Sequence, residues 1–217
     1  MILALERSTA RGGAALLAED GALVAAVEDP RGFQGDAYAL VDAVLAQAGA
    51  PLADITRYAV GTGPGSFSGV RSAIAVLAGL ALPAGGRLEG VSSAAAVNAV
   101  FRAGHPDVST VAVVGDARRG RLWIAVYGDG AAPVHAAGDF IVVPHAAVAE
   151  SLPSHAAVVT PDLDRLQSLL AAAFPPERVF GVAPTAEAVA RLALAGSAGP
   201  PLPIYLHPAV APPPSQD

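Results

Sequence analysis

The chain has 217 residues, of which 53% are hydrophobic and only 5% aromatic, and its net charge is −6. It contains no cysteine and no lysine, which excludes disulfides, iron–sulfur clusters, a P-loop lysine and Schiff-base chemistry. The negative charge gives no overall attraction to a phosphate backbone, so any nucleic acid in its pathway is expected to be held by another protein.

The first half of the chain is predicted to begin with a strand meander and to continue as alternating helices and strands. Asp20-Gly21 between apolar runs favours a hairpin turn. Asp36 is a good N-cap for a helix that ends near Gly49 and Pro51. The predicted strands are residues 2–6, 13–18, 22–28, 58–62 and 88–91, and the predicted helices are residues 36–48, 66–82 and 93–103.

A similar pattern restarts near Val108, which predicts two related lobes. Paired strands are expected at residues 111–115 and 121–127 and a further strand at 140–143; weaker helix and strand signals cover 144–151, 156–160, 162–174, 179–181 and 185–195. The sequence therefore predicts an α/β fold. Its predicted domains are an N-terminal lobe (1–107: meander plus helices), a C-terminal lobe (108–197) and a proline-rich tail (198–217) that is disordered or draped over the surface.

No segment is expected to span a membrane. The uncharged stretch at residues 72–86 is interrupted by Gly79 and Pro83 and is shorter than the about 20 apolar residues that a bilayer requires. The opening residues form a predicted strand rather than a signal peptide. The expected location is the cytoplasm.

The most informative segment is the glycine-rich turn at residues 61–71, between a predicted strand and a predicted helix. Gly63 and Gly65 permit backbone conformations that a Cβ disfavours, and Ser66 can cap the helix. The free N–H groups of a first turn favour an anion, and Arg71 adds a positive charge. One interpretation is an anion- or nucleotide-binding site made by Gly63, Gly65, Ser66 and Arg71; the other is a tight strand–helix corner whose glycines serve packing.

The turn and its surroundings resemble the TsaB (YeaZ) family. Residues 63–71, Gly-Pro-Gly-Ser-Phe-Ser-Gly-Val-Arg, are similar to that family's Gly-Pro-Gly-Ser-Phe-Thr-Gly-Leu-Arg signature. Residues 116–120, Asp-Ala-Arg-Arg-Gly, are similar to a second family segment, and Ile204-Tyr205-Leu206 to its closing region. The resemblance covers most of the chain and is weak from about residue 131 to 185.

The resemblance implies a fold and a role. The fold is the two-lobed actin/Hsp70/sugar-kinase (ASKHA) type, with a ribonuclease H-like motif in each lobe and a reduced second lobe. The role is that of a non-catalytic adaptor in the synthesis of threonylcarbamoyladenosine (t6A) at position 37 of tRNAs. The adaptor forms a heterodimer with a catalytic TsaD-like subunit and recruits a TsaE-like ATPase. It forms a homodimer when alone and meets tRNA only through the complex.

The residues themselves show no complete catalytic centre. The five histidines, His105, His135, His145, His155 and His207, include no pair three or four residues apart, so no helix face presents two metal ligands. In this fold an early aspartate often helps to hold Mg²⁺, but here the position is Glu6, followed by Arg7. Asp116 is the equivalent in the second lobe, crowded by Arg118, Arg119 and Arg121. Glu6 and Asp116 are therefore expected to be degenerate active-site positions, with no catalytic residue and no metal site.

The helices at residues 36–48 and 66–82 are rich in alanine and small residues, which suits close helix packing. The resemblance implies that these helices make the partner interface, and the interface candidates are Tyr38, Val41, Leu45, Val70, Ile74 and Leu77. For each of them, plain core packing is the alternative. Phe33 is expected to provide an apolar contact where the family usually has a polar corner.

No cofactor is expected for this chain, and binding of ADP or ATP at the partner interface is left open. The alternative function is a stand-alone kinase-like phosphotransferase or peptidase of the same superfold.

Overall fold

The computed structural model describes residues 1–31, 34–128 and 139–206. The first half of the chain forms β1 (Ile2–Glu6), β2 (Gly12–Leu17), β3 (Leu23–Asp29), α1 (Ala37–Ala48), β4 (Arg57–Gly61), α2 (Phe67–Ala81), β5 (Arg87–Val91) and α3 (Ser93–Gly104). The second half forms β6 (Val111–Arg118), β7 (Arg121–Tyr127), β8 (Ile141–Pro144), β9 (Ala157–Thr160), α4 (Leu163–Ala173), β10 (Val179–Gly181) and α5 (Ala186–Leu194).

The ten described strands form two five-stranded sheets with the same topology. The first sheet has the order β3-β2-β1-β4-β5 and the second has the order β8-β7-β6-β9-β10. In each sheet the first three strands in the chain are antiparallel, and the last two run parallel to the first. This duplicated order is the ribonuclease H-like motif, and it confirms the predicted two-lobed ASKHA fold.

The second copy is reduced, as predicted. Where α1 follows β3 in the first copy, β8 is followed only by a single 3-10 turn, His145–Ala147. Residues 144–151, which carry one of the weaker helix or strand signals, thus contain the end of β8 and this turn. No side chain caps the start of that turn, and within this stretch only Val148 is a buried hydrophobic residue, so a full helix would have no apolar face to bury.

Successive side chains of a strand point to opposite faces of the sheet, so each sheet packs against helices on both faces. In β1, Leu3 and Leu5 face α1 and α2, whereas Ile2 and Ala4 face α5 on the other side of the first sheet. The second sheet lies between α3 and α4 in the same way. Helices α3 and α5 contact each other and together form the layer between the two sheets.

Local signals set the helix starts. The Asp36 carboxylate accepts a hydrogen bond from Tyr38 N and caps α1, and Gly49 ends that helix in a left-handed conformation at φ 62°. Ser66 caps α2 by accepting from Gly69 N, and Thr185 caps α5 by accepting from Ala188 N. Each of these side chains satisfies an N–H group that a helix start leaves unpaired.

The predicted domain boundary at residue 108 stays a prediction. Helix α3, placed by it in the first lobe, packs against β6 and β9, while α5, placed in the second lobe, packs against the first sheet. Of the proline-rich tail, residues 198–206 lie between the two lobes and contact both of them. The rest of the tail and Phe33 lie outside the described residues.

Candidate functional site

The two lobes enclose a cleft whose cavity measures about 790 Å³. The first lobe contributes the corner after β1, the glycine-rich turn and the first turn of α2. The second lobe contributes the end of β6 and the start of α4. The chain after α5 forms a further wall. The residues that line the cavity include Ser8, Gly65, Ser66, Phe67, Arg71, Asp116, Arg118, Trp123, Asp162, Arg165, Ile204 and Tyr205.

The glycine-rich turn is tied to its neighbours at both ends. Ser66 N donates to the carbonyl oxygen of Ser8 at 2.6 Å, and Ser93 N donates to the carbonyl oxygen of Gly63 at 2.8 Å. A Cβ on Gly65 would overlap the Ser8 carbonyl oxygen, so this glycine is required by close approach. Gly63 instead has φ 90°, a conformation that favours glycine. The turn is thus a tight strand–helix corner.

The predicted anion site is only partly assembled. Gly65, Ser66 and Arg71 line the cavity, whereas Gly63 does not, since its N–H donates to Ser93 Oγ at 3.0 Å and its carbonyl is occupied by Ser93 N. The Arg71 guanidinium lies over the Phe67 ring, 4.6 Å from its centroid. Anion binding by these residues stays a prediction.

Glu6 is a structural carboxylate and does not line the cleft. It is buried, and its two oxygens accept from Ser8 N at 2.6 Å and from Ser93 Oγ at 2.7 Å. Burial raises the pKa of Glu6, and the hydrogen bonds from Ser8 and Ser93 partly offset this. A Cβ on Gly61 of β4 would overlap the Glu6 carboxylate. The Glu6 side chain therefore fits only because residue 61 is a glycine. Glu6 therefore holds the corner and α3 together.

Arg7 is buried beside Glu6 but points toward the other face of the lobe. Its guanidinium donates to Ser72 Oγ on α2 at 2.6 Å and to the carbonyl oxygen of Gly35 before α1. Burial lowers the pKa of Arg7, against the opposing effect of Asp29 and Asp36. This side chain joins the two helices that form the outer layer of the first lobe.

The second-lobe side of the cleft presents two carboxylates and two arginines. Asp116 pairs with Arg118 at 3.2 Å and with Arg165 at 3.7 Å. The Asp162 carboxylate accepts from Asp116 N at 2.9 Å, and burial raises the pKa of Asp162. Of the three arginines expected to crowd Asp116, only Arg118 pairs with it among the described contacts. The sequence analysis did not identify Arg165.

The local backbone aims Arg118 into the cleft. A bulge between Asp116 and Arg118 precedes a two-residue turn at Arg119 and Gly120, and Arg118, Arg119 and Gly120 have φ of 66°, 54° and 70°. Non-glycine residues adopt this region at a cost. This conformation places the Arg118 guanidinium beside the Asp116 carboxylate, with which it forms an ion pair.

No group of three metal-ligating side chains occurs within residues 1–31, 34–128 and 139–206. His105 stacks on Phe101 with a centroid distance of 4.2 Å, and His155 contacts Thr110 Oγ1 at 3.1 Å. His145 follows β8. His135 and His207 lie outside the described residues.

The interface candidates divide by burial. Tyr38 is 58% exposed, and Leu45 and Ile74 are half-buried. Val41, Val70 and Leu77 are buried within the chain, which agrees with the alternative of core packing; contact of any of the six candidates with a partner stays a prediction. Apolar residues recur at the same helical spacing whether they face the protein core or a partner protein. Only the position of the sheet against the helix decides between the two.

Asp162 and Ser93 are functional positions that the sequence reasoning missed. Asp162 follows β9, whose carboxyl end lies beside that of the parallel strand β6. Position after a parallel strand was a usable signal for it. The Ser93 hydroxyl bridges two parts of the site, since it donates to the Glu6 carboxylate and accepts from Gly63 N.

A family model described as TsaD, tRNA N6-adenosine threonylcarbamoyltransferase, matches residues 31–167, which is more than half of the chain. The chain belongs to this family. Within it the match is to the TsaB (YeaZ) type, because YeaZ from Pseudomonas aeruginosa superposes with a TM-score of 0.74 and 26% sequence identity, over 94% of this chain and 99% of that one.

A second solved structure agrees with this family assignment, and a curated protein of unassigned function is also similar to the chain. A structure from Pseudomonas aeruginosa, described as an uncharacterized protein with similarity to peptidase YEAZ, gives a TM-score of 0.70 at 26% identity over 95% of this chain and 99% of that one. An uncharacterized protein of Mycobacterium bovis is 37% identical over 120 residues, 54% of each chain. The matched part thus spans about half the length of the curated relatives.

Proposed function

We propose that this TsaB-type chain is a non-catalytic adaptor in t6A synthesis at position 37 of tRNAs. In this role it binds a TsaD-like catalytic subunit, and the pair recruits a TsaE-like ATPase. The observation that carries the proposal is the state of the two carboxylates: Glu6 is turned away from the cleft and Asp116 is paired with two arginines. Neither is free to hold the Mg²⁺ that phosphoryl transfer requires.

The partner surface of this proposal is the outward face of α1 and α2. Both helices cover the same side of the first sheet and contact each other. Their exposed positions are mostly small, which allows a partner helix to approach closely. The exposed residues of this face include Tyr38, Ala39, Asp42, Ala43, Ala46 and Gln47 on α1, and Arg71, Ala75, Ala78 and Gly79 on α2, followed by Leu82. The same face would make the homodimer when the chain is alone.

Reconstitution tests the role. The chain is mixed with TsaD- and TsaE-like proteins, threonylcarbamoyl-AMP and tRNA, and modified adenosine is measured. We expect modification to depend on the chain. If omission of the chain leaves modification unchanged, the adaptor role is wrong.

A matched pair of variants tests the surface. Ala43→Arg places a long cation on the exposed face of α1, whereas Ala171→Arg places the same side chain on the exposed face of α4, in the other lobe. We expect Ala43→Arg to weaken binding to the TsaD-like subunit by about tenfold or more, because an interface helix cannot approach past the new side chain. Isothermal titration calorimetry measures the affinity. Equal affinities for both variants would place the interface elsewhere.

The alternative, a stand-alone phosphotransferase or peptidase, predicts turnover by the pure chain. ATP hydrolysis and proteolysis are measured for the chain and for Glu6→Ala and Asp116→Ala. The adaptor proposal expects no activity that depends on either residue. Robust turnover lost in Asp116→Ala would favour the enzyme.

A further inference from the structure

The chain after α5 crosses from the first sheet into the cleft, and residues 199–206 are here called the C-terminal strap. At its start, Gly90 and Gly199 exchange two backbone hydrogen bonds of 2.9 and 2.8 Å, which attaches the strap to β5. Further along, Ile204 N donates to the carbonyl oxygen of Thr62 at 2.9 Å, just after β4. The backbone of the strap is therefore bonded to the first lobe.

Two side chains of the strap pack against the other lobe. Ile204 is 8% exposed and packs in the core cluster that contains Val113 and Trp123 of the second sheet, and Leu206 packs against the same cluster. One short segment is thus hydrogen-bonded to one sheet and buried against the other. Movement of the lobes would break either the backbone hydrogen bonds or the apolar contacts.

Two further features fit a built attachment. A Cβ on Gly90 would overlap the carbonyl oxygen of Pro200, so β5 carries a glycine where the strap lies against it. Tyr205 packs on Phe67 with ring centroids 5.6 Å apart, and Phe67 is the first residue of α2. The strap therefore also contacts the start of the helix that the glycine-rich turn positions.

We propose that the C-terminal strap is a clamp that fixes the angle between the two lobes. Proteins that close around a ligand by hinge motion need the two sides of the cleft to move relative to each other. Here the strap forms one wall of the cleft. Its backbone is hydrogen-bonded to the first lobe, and two of its apolar side chains pack against the second lobe. The two lobes therefore behave as one rigid unit. This inference does not depend on the adaptor role, since it concerns motion within the isolated chain.

Interlobe distances test the clamp directly. Because the chain has no cysteine, Gln47→Cys on α1 and Ser168→Cys on α4, both exposed, give one spin-label pair per chain for pulsed electron–electron double resonance. The labelled chain is diluted into an excess of unlabelled chain, so that a homodimer contains a single labelled protomer. In this background, Ile204→Ala removes the buried contact, whereas Leu202→Ala, at a position 67% exposed, changes the same strap without touching the core. We expect a narrow distance distribution in the parent and in Leu202→Ala, and a broader one in Ile204→Ala. A distribution in Ile204→Ala as narrow as that of the parent overturns the proposal.

Hydrogen exchange on the unsubstituted chain gives a second test that does not require a variant to fold. The clamp predicts that the amides of Gly199 and Ile204 exchange at least roughly 100-fold more slowly than those of an unstructured peptide. The Thr62 amide, which donates to the Val91 carbonyl at 2.8 Å, is the internal reference for a protected amide. Exchange of the Ile204 amide at the unstructured rate shows that the strap detaches, and would refute the clamp.

Discussion

Glu6 illustrates how a single residue changes what this fold can do. A carboxylate on β1 that reached the cleft would be a candidate cation ligand. This side chain is instead buried, with its oxygens held by Ser8 N and Ser93 Oγ. A buried carboxylate is tolerated because both oxygens accept hydrogen bonds. The residue stabilises the corner at the cleft rather than binding a ligand in it.

The protonation of Glu6 leads to a prediction about stability and pH. Burial raises the folded-state pKa of Glu6 above its ordinary value of 4.5, so the folded protein binds the proton more tightly than the unfolded chain. The stability that this gives is fully present at a pH below the pKa of Glu6 in the unfolded chain. It is lost as the pH rises through the higher pKa of Glu6 in the folded protein. The expected result is that wild type loses stability relative to Glu6→Gln as the pH rises from the ordinary pKa of 4.5 through the raised pKa of the folded state.

Urea unfolding of wild type and Glu6→Gln at matched pH measures this difference, and the subtraction removes the similar contribution of Asp162, whose pKa is also raised by burial. A difference that stays constant with pH would contradict the prediction. Glu6→Ala serves as the control for the hydrogen bonds: like Glu6→Gln it lacks the titrating carboxyl, but it leaves two buried donors unpaired, so it should be less stable than Glu6→Gln by about 1–3 kcal/mol at every pH.

At the scale of elements, the two glycines Gly65, in the turn before α2, and Gly79, within α2, differ in whether the surrounding structure leaves room for a Cβ. A Cβ on Gly65 meets the Ser8 carbonyl oxygen, whereas a Cβ on Gly79 meets no atom within 4 Å. We expect Gly65→Ala to lower the free energy of unfolding by about 1–3 kcal/mol through overpacking. Gly79→Ala should raise it by roughly 0.5–1 kcal/mol, because alanine is the better helix former.

Chemical denaturation of these two variants beside wild type measures both effects. They make the same chemical change within one strand–helix unit, so each is the control for the other. Equal effects of the two substitutions would show that the corner at Ser8 yields without cost.

At the scale of the whole molecule, the acidic charge predicts how the isolated chain treats tRNA. With a net charge of −6, it releases few counterions on meeting a phosphate backbone. Fluorescence anisotropy with labelled tRNA is expected to show weak binding by the chain alone and tighter binding once the TsaD-like subunit is added. Tight binding by the chain alone that weakens steeply with salt would contradict this prediction.

No helix among the described residues has the length and apolar character needed to cross a bilayer. The apolar content is instead used to cover both faces of two sheets. An alanine-rich chain suits this arrangement because small side chains let α3 and α5 fit between the two sheets. The repeated strand order was predictable in outline, since the meander and the alternation recur along the chain.

The sequence by itself determined the features whose causes are local. Asp36 and Ser66 cap helices and Gly49 ends one because each acts on backbone groups within a few residues of itself, and strand alternation follows from the pleat. Only the tertiary structure decided that Val41, Val70 and Leu77 are core residues while Tyr38 is exposed, that Glu6 reaches Ser93 instead of the cleft, and that Arg165 joins Asp116. Those outcomes depend on contacts between residues far apart in the chain, whose geometry is set when two sheets and five helices pack together. The strap has the same origin, because its partners on β5 and the second sheet come together only after both lobes have formed.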